Sequence, residues 1–185
     1  MIDVFSDAWI VSALAGLVGL MIGSFLNVCT LRWPEDESVV FPGSHCPKCG
    51  EPIRWYDNVP VLGYVLLRGR CRACREPISL QYPLVELATG LVWTGMFSYA
   101  GLSFEALRGT LLLTILFGIA LTDARFYIIP DQFSLGGLVL GLGLAFLPGG
   151  IDALDALIGA IVGFGLLGSV AVVGKWMLKK DAMGL

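Results

Sequence analysis

Between Cys46 and Ile78 one octet is written twice. Cys46-Pro-Lys-Cys49-Gly-Glu51-Pro52-Ile53 returns 25 residues later as Cys71-Arg-Ala-Cys74-Arg-Glu76-Pro77-Ile78. Two CxxC pairs, each followed by x-Glu-Pro-Ile, can bring four thiolates onto one tetrahedral metal ion. Twenty-one residues separate Cys49 from Cys71, slightly more than the commonest zinc-ribbon spacing. The insert around them has about 50 residues, too few for a large core, so a metal would supply much of its folding energy. Four thiolates fill a tetrahedral sphere, which makes the site structural rather than catalytic. Gly50 suits the tight turn of a Cys-Pro-x-Cys-Gly knuckle. Zinc is the expected ion; iron in the same four-sulfur set, or a metal-free dithiol or redox pair, are the alternatives. His45 reads as a solvent-facing neighbour rather than a ligand, and Cys29 as a packing residue.

The chain around this insert is 56% apolar and only 15% charged. A soluble domain carries about a quarter charged residues, so the composition is that of a membrane protein. Trp9–Leu31 is the first long apolar run, with Asn27 its only strongly polar residue. Asp3 and Asp7 precede it where a secretory signal would carry basic residues, so it reads as a retained span. Further spans are expected at Pro83–Ala100, Leu107–Thr122, Phe133–Leu147 and Ala156–Trp176, several of them short for a hydrocarbon core of about 30 Å. The expected fold is an all-α polytopic membrane protein with about five transmembrane helices and a small zinc-ribbon-like insert. Its parts are a first helix (1–31), a four-cysteine zinc-binding domain (32–82) and the remaining helices (83–185).

Charge sets the orientation. Of the 12 Lys and Arg, seven lie between Arg32 and Gln81, Arg125 follows the third span, and Lys175, Lys179 and Lys180 lie at the end of the fifth. With five spans these all share one side, and only Arg108 is on the other. The positive-inside rule then puts the N-terminus outside and the cysteine domain in the cytoplasm. A reducing cytoplasm disfavours stable disulfides, which strengthens the metal reading. The lipid bilayer is an expected partner, and the lack of a basic stripe argues against nucleic acid.

Ionisable groups within or at the end of a span are costly and are functional candidates by default. Asp123 closes the apolar run Leu111–Leu121 at the cytoplasmic end of the third span; an interfacial residue partnered by Arg125 is the alternative. Glu86, about one turn into the second span, is a second-rank candidate. Asp131, next to Pro130, is another, although a helix N-cap would also explain it. Hydrolysis by aspartates needs two carboxylates sharing a proton, so that one activates water while the other protonates the carbonyl oxygen. Asp152 and Asp155 fall on the opposite face from Asp123, and Asp181 is set among Lys179, Lys180 and a polar tail. No convincing partner is present.

Several of these segments together are recognisable. Gly23-Ser-Phe-Leu-Asn27-Val, the four cysteines, Arg54-Trp-Tyr-Asp-Asn58-Val-Pro60 and Ile78-Ser-Leu-Gln-Tyr82-Pro83-Leu-Val-Glu86 follow the order found in bacterial type IV prepilin peptidases. The chain resembles that family from Gly19 or so to its last residue. The resemblance implies a bifunctional enzyme of the bacterial inner membrane. Such enzymes remove the basic leader of prepilins and pseudopilins at the cytoplasmic face. They then methylate the new N-terminus, usually phenylalanine, with S-adenosylmethionine. It also implies that Asp123, in its Asp-x6-Pro-Asp context, is the first catalytic aspartate and that Cys46, Cys49, Cys71 and Cys74 hold structural zinc. Glu86 falls in a motif characteristic of the family, without an assigned step.

The family's second aspartate belongs to a Gly-x-Gly-Asp motif that follows Ala-Met-Gly. The chain ends Lys180-Asp181-Ala182-Met183-Gly184-Leu185, so Gly and Asp are the next two residues expected. On that reading these 185 residues alone are expected not to cleave prepilin, because the acid/base pair is halved. The competing function is a non-catalytic membrane zinc protein that scaffolds or binds prepilin. A methyltransferase-only protein is a third reading, though no glycine-rich loop after a strand supports a Rossmann-type donor site. The cofactor-binding residues are therefore unassigned, and self-association is left open.

Overall fold

A computed structural model describes residues 4–178. Its regular structure is helical, with two isolated antiparallel bridges in the insert. Helix α1 (Val4–Arg32) is followed by the polar insert, which contains a short α2 (Leu62–Leu66) and two 3-10 turns, Trp33–Glu35 and Trp55–Asp57. Then come α3 (Gln81–Ala100), α4 (Phe104–Phe126), α5 (Asp131–Ala145) and α6 (Ala153–Leu178). The chain divides into two compact units, Met1–Pro130 and Asp131–Leu185. In the second, α5 and α6 pack on each other.

Long apolar segments become helices here because a helix satisfies every backbone N–H and C=O within the segment. Among the described residues three helices are long and apolar enough to cross a membrane: Ala8–Glu35, Phe104–Phe126 and Ala153–Gly174. The other two expected spans fall short for different reasons. Helix α3 has the length, at 20 residues, but Pro83, Glu86 and its Thr and Ser residues dilute its hydropathy. Helix α5 is apolar but has only 15 residues, about 22 Å at 1.5 Å per residue. Asp131 is the first helical residue of α5 rather than its cap. There its carboxylate faces the positive end of the helix dipole, as it would from the cap.

The first unit has an inverted distribution of polarity. Ser12, Asn27, Thr30, Glu86, Thr89, Thr110 and Thr122 are buried, whereas Leu14, Leu17, Met21, Phe25, Leu84, Leu91, Leu112 and Leu116 are exposed. Water would reverse that arrangement; lipid favours it, since packing between helices then rests on small and polar residues. The buried hydroxyls return hydrogen bonds to their own helices, as from Thr89 to Val85 O (2.8 Å) and Thr110 to Ala106 O (2.9 Å). Trp93 crosses from α3 to α4, its Nε1 donating to Thr114 Oγ1 at 3.1 Å. Ser103 caps α4 by accepting from Ala106 N–H.

Helices α1 and α3 approach at backbone distance. A methyl added to Gly19 would lie 2.7 Å from Trp93 Cβ, and one on Gly23 would lie 2.8 Å from Glu86 Cα. Asn27, four residues beyond Gly23, donates to Tyr82 O at 3.1 Å. The Gly-x-x-x-Gly spacing therefore sets the depth at which Glu86 stands against α1.

Candidate metal centre and carboxylate sites

The duplicated octet folds into a duplicated structure. In the first copy Cys46 N–H donates to Glu51 O, Gly50 N–H to Cys46 O and Ile53 N–H to Ser44 O. The second copy repeats each bond 25 positions on: Cys71 to Glu76, Arg75 to Cys71 and Ile78 to Gly69. The bridges His45–Pro52 and Arg70–Pro77 obey the same offset. Each octet is thus a knuckle whose proline lies within the paired segment and whose fifth residue turns the chain through positive φ, +73° at Gly50 and +64° at Arg75.

The two knuckles face each other. The sulfurs of Cys46, Cys49, Cys71 and Cys74 all lie within 4.8 Å of one another, and Cys46 Sγ to Cys74 Sγ is 3.8 Å. Zinc–thiolate bonds of about 2.3 Å in a tetrahedron put sulfurs about 3.8 Å apart, so the four residues fit such an ion. Backbone N–H groups of Cys74 and Ala73 draw the Cys71 thiol down to about 7. The Glu76 N–H favours the Cys74 thiolate as well, but desolvation and the neighbouring cysteine sulfurs outweigh it and push Cys74 up to about 12. A second thiolate is hard to form beside the first without a cation between them. His45 is exposed, its Nδ1 3.0 Å from Gly43 O, and it is no member of the cluster. Cys29 is buried in α1.

Two polar contacts in the insert were not evident from sequence. Arg72 makes a bidentate pair with Asp57, Nε to Oδ2 at 2.7 Å and Nη2 to Oδ1 at 2.6 Å. The guanidinium holds the Asp57 carboxyl below the usual carboxylate range. Tyr56 lies between two guanidinium groups, 5.9 Å from Arg54 and 5.6 Å from Arg72. The Arg54–Pro60 motif contains Asp57, but only the fold brings it to a residue inside the second CxxC.

Glu86 and Asp123 have contrasting surroundings. Glu86 is 7% exposed; its Oε2 accepts the Val61 N–H at 2.7 Å, and Ser24 of α1 is a further side-chain partner. Val61 has φ +62° and ψ −48°, and Leu62 N–H donates to Pro60 O at 2.6 Å, closing a γ-turn that a β-branched residue adopts only under constraint. Asp123 is exposed in the last turns of α4, where its carbonyl accepts from Tyr127 N–H at 2.9 Å. Among the described residues no ion pair joins it to Arg125, whose guanidinium lies 5.2 Å over the Phe126 ring. Asp131 belongs to the second unit. Residues 180–185, where the resemblance sets the approach to a second aspartate, lie outside the described residues.

An open cleft of about 1120 Å³ lies between α1 and the cysteine domain, with Ser24, Val28, Tyr64, Arg72, Tyr82 and Glu86 among its walls.

Comparison with known proteins gives a consistent set of matches. Residues 17–100 match the family model described as the bacterial peptidase A24 N-terminal domain, and residues 110–185 match that of the type IV leader peptidase family. The chain is similar to the prepilin leader peptidase/N-methyltransferase of Myxococcus xanthus, 42% identical over 91% of the chain. It is also similar to the proteins of that description from Klebsiella pneumoniae (39% over 91%) and Neisseria gonorrhoeae (35% over 92%). It spans 50% of the length of the Myxococcus protein and 76% and 68% of the other two. No solved structure matches.

Proposed function

Starting from the fact that the chain belongs to the prepilin leader peptidase/N-methyltransferase family, we propose that it serves in both reactions of that description. The first is cleavage of the leader of prepilins or pseudopilins at the cytoplasmic face of the bacterial inner membrane. The second is methylation of the new N-terminus. Helices α1, α3, α4, α5 and α6 are the five spans in this reading, with the N-terminus outside and the four-cysteine domain (32–82) in the cytoplasm. Helix α3 crosses in the company of α1, with Glu86 and Thr89 turned to that partner, and α5 belongs to the peptidase helices of 83–185.

The observation that carries the peptidase assignment is Asp123 at the C-terminal turn of α4, inside the leader-peptidase match and on the side of the positive loops. There it would work as one half of a carboxylate pair, holding or releasing a proton at Oδ as water attacks the scissile carbonyl. The cysteine domain serves as a metal-stapled platform beside that face and takes no part in bond cleavage. An S-adenosylmethionine-type donor supplies the methyl group; the cleft against α1 has room for it, and Glu86 and Asp57 are carboxylates on its wall.

The test uses the protein expressed from its complete reading frame in membranes, with a prepilin bearing its basic leader. Asp123→Asn is expected to lower cleavage by roughly 10²–10⁴-fold, while methylation of a pre-cleaved pilin persists. Cleavage that survives the substitution removes Asp123 from the mechanism.

A further inference from the structure

Helix α2 presents its apolar side outward. Leu62, Val65 and Leu66 are 59%, 61% and 76% exposed. Their i, i+3, i+4 spacing puts them on one face of the single helical turn. The other face is anchored: Gly63 is buried against the Asp57 carbonyl, and Tyr64 packs on Gly69. The metal domain therefore fixes this apolar face in place rather than leaving it to collapse inward.

The depth of that face follows from the contacts of Glu86. Its carboxylate holds the Val61 N–H, immediately before α2, and its backbone lies against Gly23 of α1 with Ser24 alongside. Ser24 precedes Arg32, the first basic residue of α1, by eight positions, about 12 Å along the axis at 1.5 Å per residue. The start of α2 is thus tied to a level well inside the apolar stretch of α1, not to the level of the loop that leaves it. Arg68 and Arg70 follow α2 directly and carry the charge that headgroup phosphates attract. We propose that the exposed Leu62–Val65–Leu66 face of α2 inserts into the cytoplasmic leaflet of a phospholipid bilayer, so that the cysteine domain is seated in the membrane surface by its own short helix. Bilayer contact removes three large apolar side chains from water and leaves the knuckles on the aqueous side. It also supplies a constraint that lets the strained Val61 turn persist.

This inference rests on the reading of α1 and α3 as spans, and the experiment separates the two. Benzoylphenylalanine is placed singly at Leu66, at Leu91 on the exposed side of α3, and at Lys48 in the first knuckle. The full chain is irradiated in nanodiscs of phosphatidylethanolamine and phosphatidylglycerol, after each variant is shown to retain one metal per chain. Lipid adducts of comparable yield at 66 and 91, with none at 48, are expected. A lipid adduct at 91 with none at 66, or a protein adduct in its place, overturns the insertion and leaves the spans standing. No lipid adduct at 91 overturns the spans and the insertion together. If the variant at 66 loses its metal, the probe moves to Val65, where the same outcomes apply.

Discussion

Arg75 occupies in the second knuckle the place that Gly50 holds in the first, and both turn the chain through positive φ. For a residue with a Cβ the left-handed conformation costs about 1 kcal/mol, which glycine does not incur. Arg75→Gly is therefore expected to stabilise the cysteine domain by about 1 kcal/mol, read as a higher chelator concentration at half-loss of metal. The reciprocal Gly50→Arg should move that midpoint the other way. Glu86 has a different standing, since its carboxylate satisfies a backbone N–H of a strained turn in a poorly hydrated place. Glu86→Ala leaves the Val61 N–H without its acceptor, at a cost of about 1–3 kcal/mol. Faster amide exchange over residues 61–66, with metal content unchanged, is the expected result. The clustering of the four cysteines was legible from spacing alone. The bond from Glu86 to Val61 was not, because it joins positions 25 apart through a turn that no residue type announces.

At the scale of elements, the long apolar runs were easy to read as helices, and α1, α4 and α6 emerge close to their expected places. Helix α3 shows where hydropathy alone runs out. Its buried polar residues Glu86 and Thr89 stand against α1, and that depends on Gly19 and Gly23 allowing close approach. In the insert, the Arg72–Asp57 pair links the second knuckle to the 3-10 turn at Trp55–Asp57. Because Arg72 lowers the folded-state value of Asp57, the stabilisation it contributes is complete above the unfolded value, about 3.9, and is lost as pH falls through the folded one. Metal binding needs thiolates, and these compete with protons at higher pH. Acidification should therefore release metal at a pH above the carboxylate range, and the Arg72–Asp57 pair should be lost with it as the insert unfolds. A zinc indicator followed alongside the fluorescence of a variant that keeps Trp55 as its single tryptophan would give coincident transitions above the carboxylate range.

For the whole molecule, the duplicated knuckle and the apolar helices would draw stability from different sources, a metal ion held by the four cysteines in one and internally satisfied backbone in the other. Chelation should unfold the insert and leave the helical signal of the spans largely intact. Loss of protease resistance confined to 32–80, with little change in far-ultraviolet circular dichroism, would register this. The sequence by itself determined the thiolate set, the apolar segments, the family and the candidate Asp123. These reside in residue type and spacing, and they need no knowledge of distant neighbours. Only the tertiary structure decided that the two knuckles face one another, that Arg72 pairs with Asp57 and that Glu86 holds the Val61 turn. It also decided that α2 turns its leucines outward. These are contacts between segments far apart in the chain. Their geometry follows from how closely α1 and α3 pack and from the 25-residue repeat of hydrogen bonds around the cysteines.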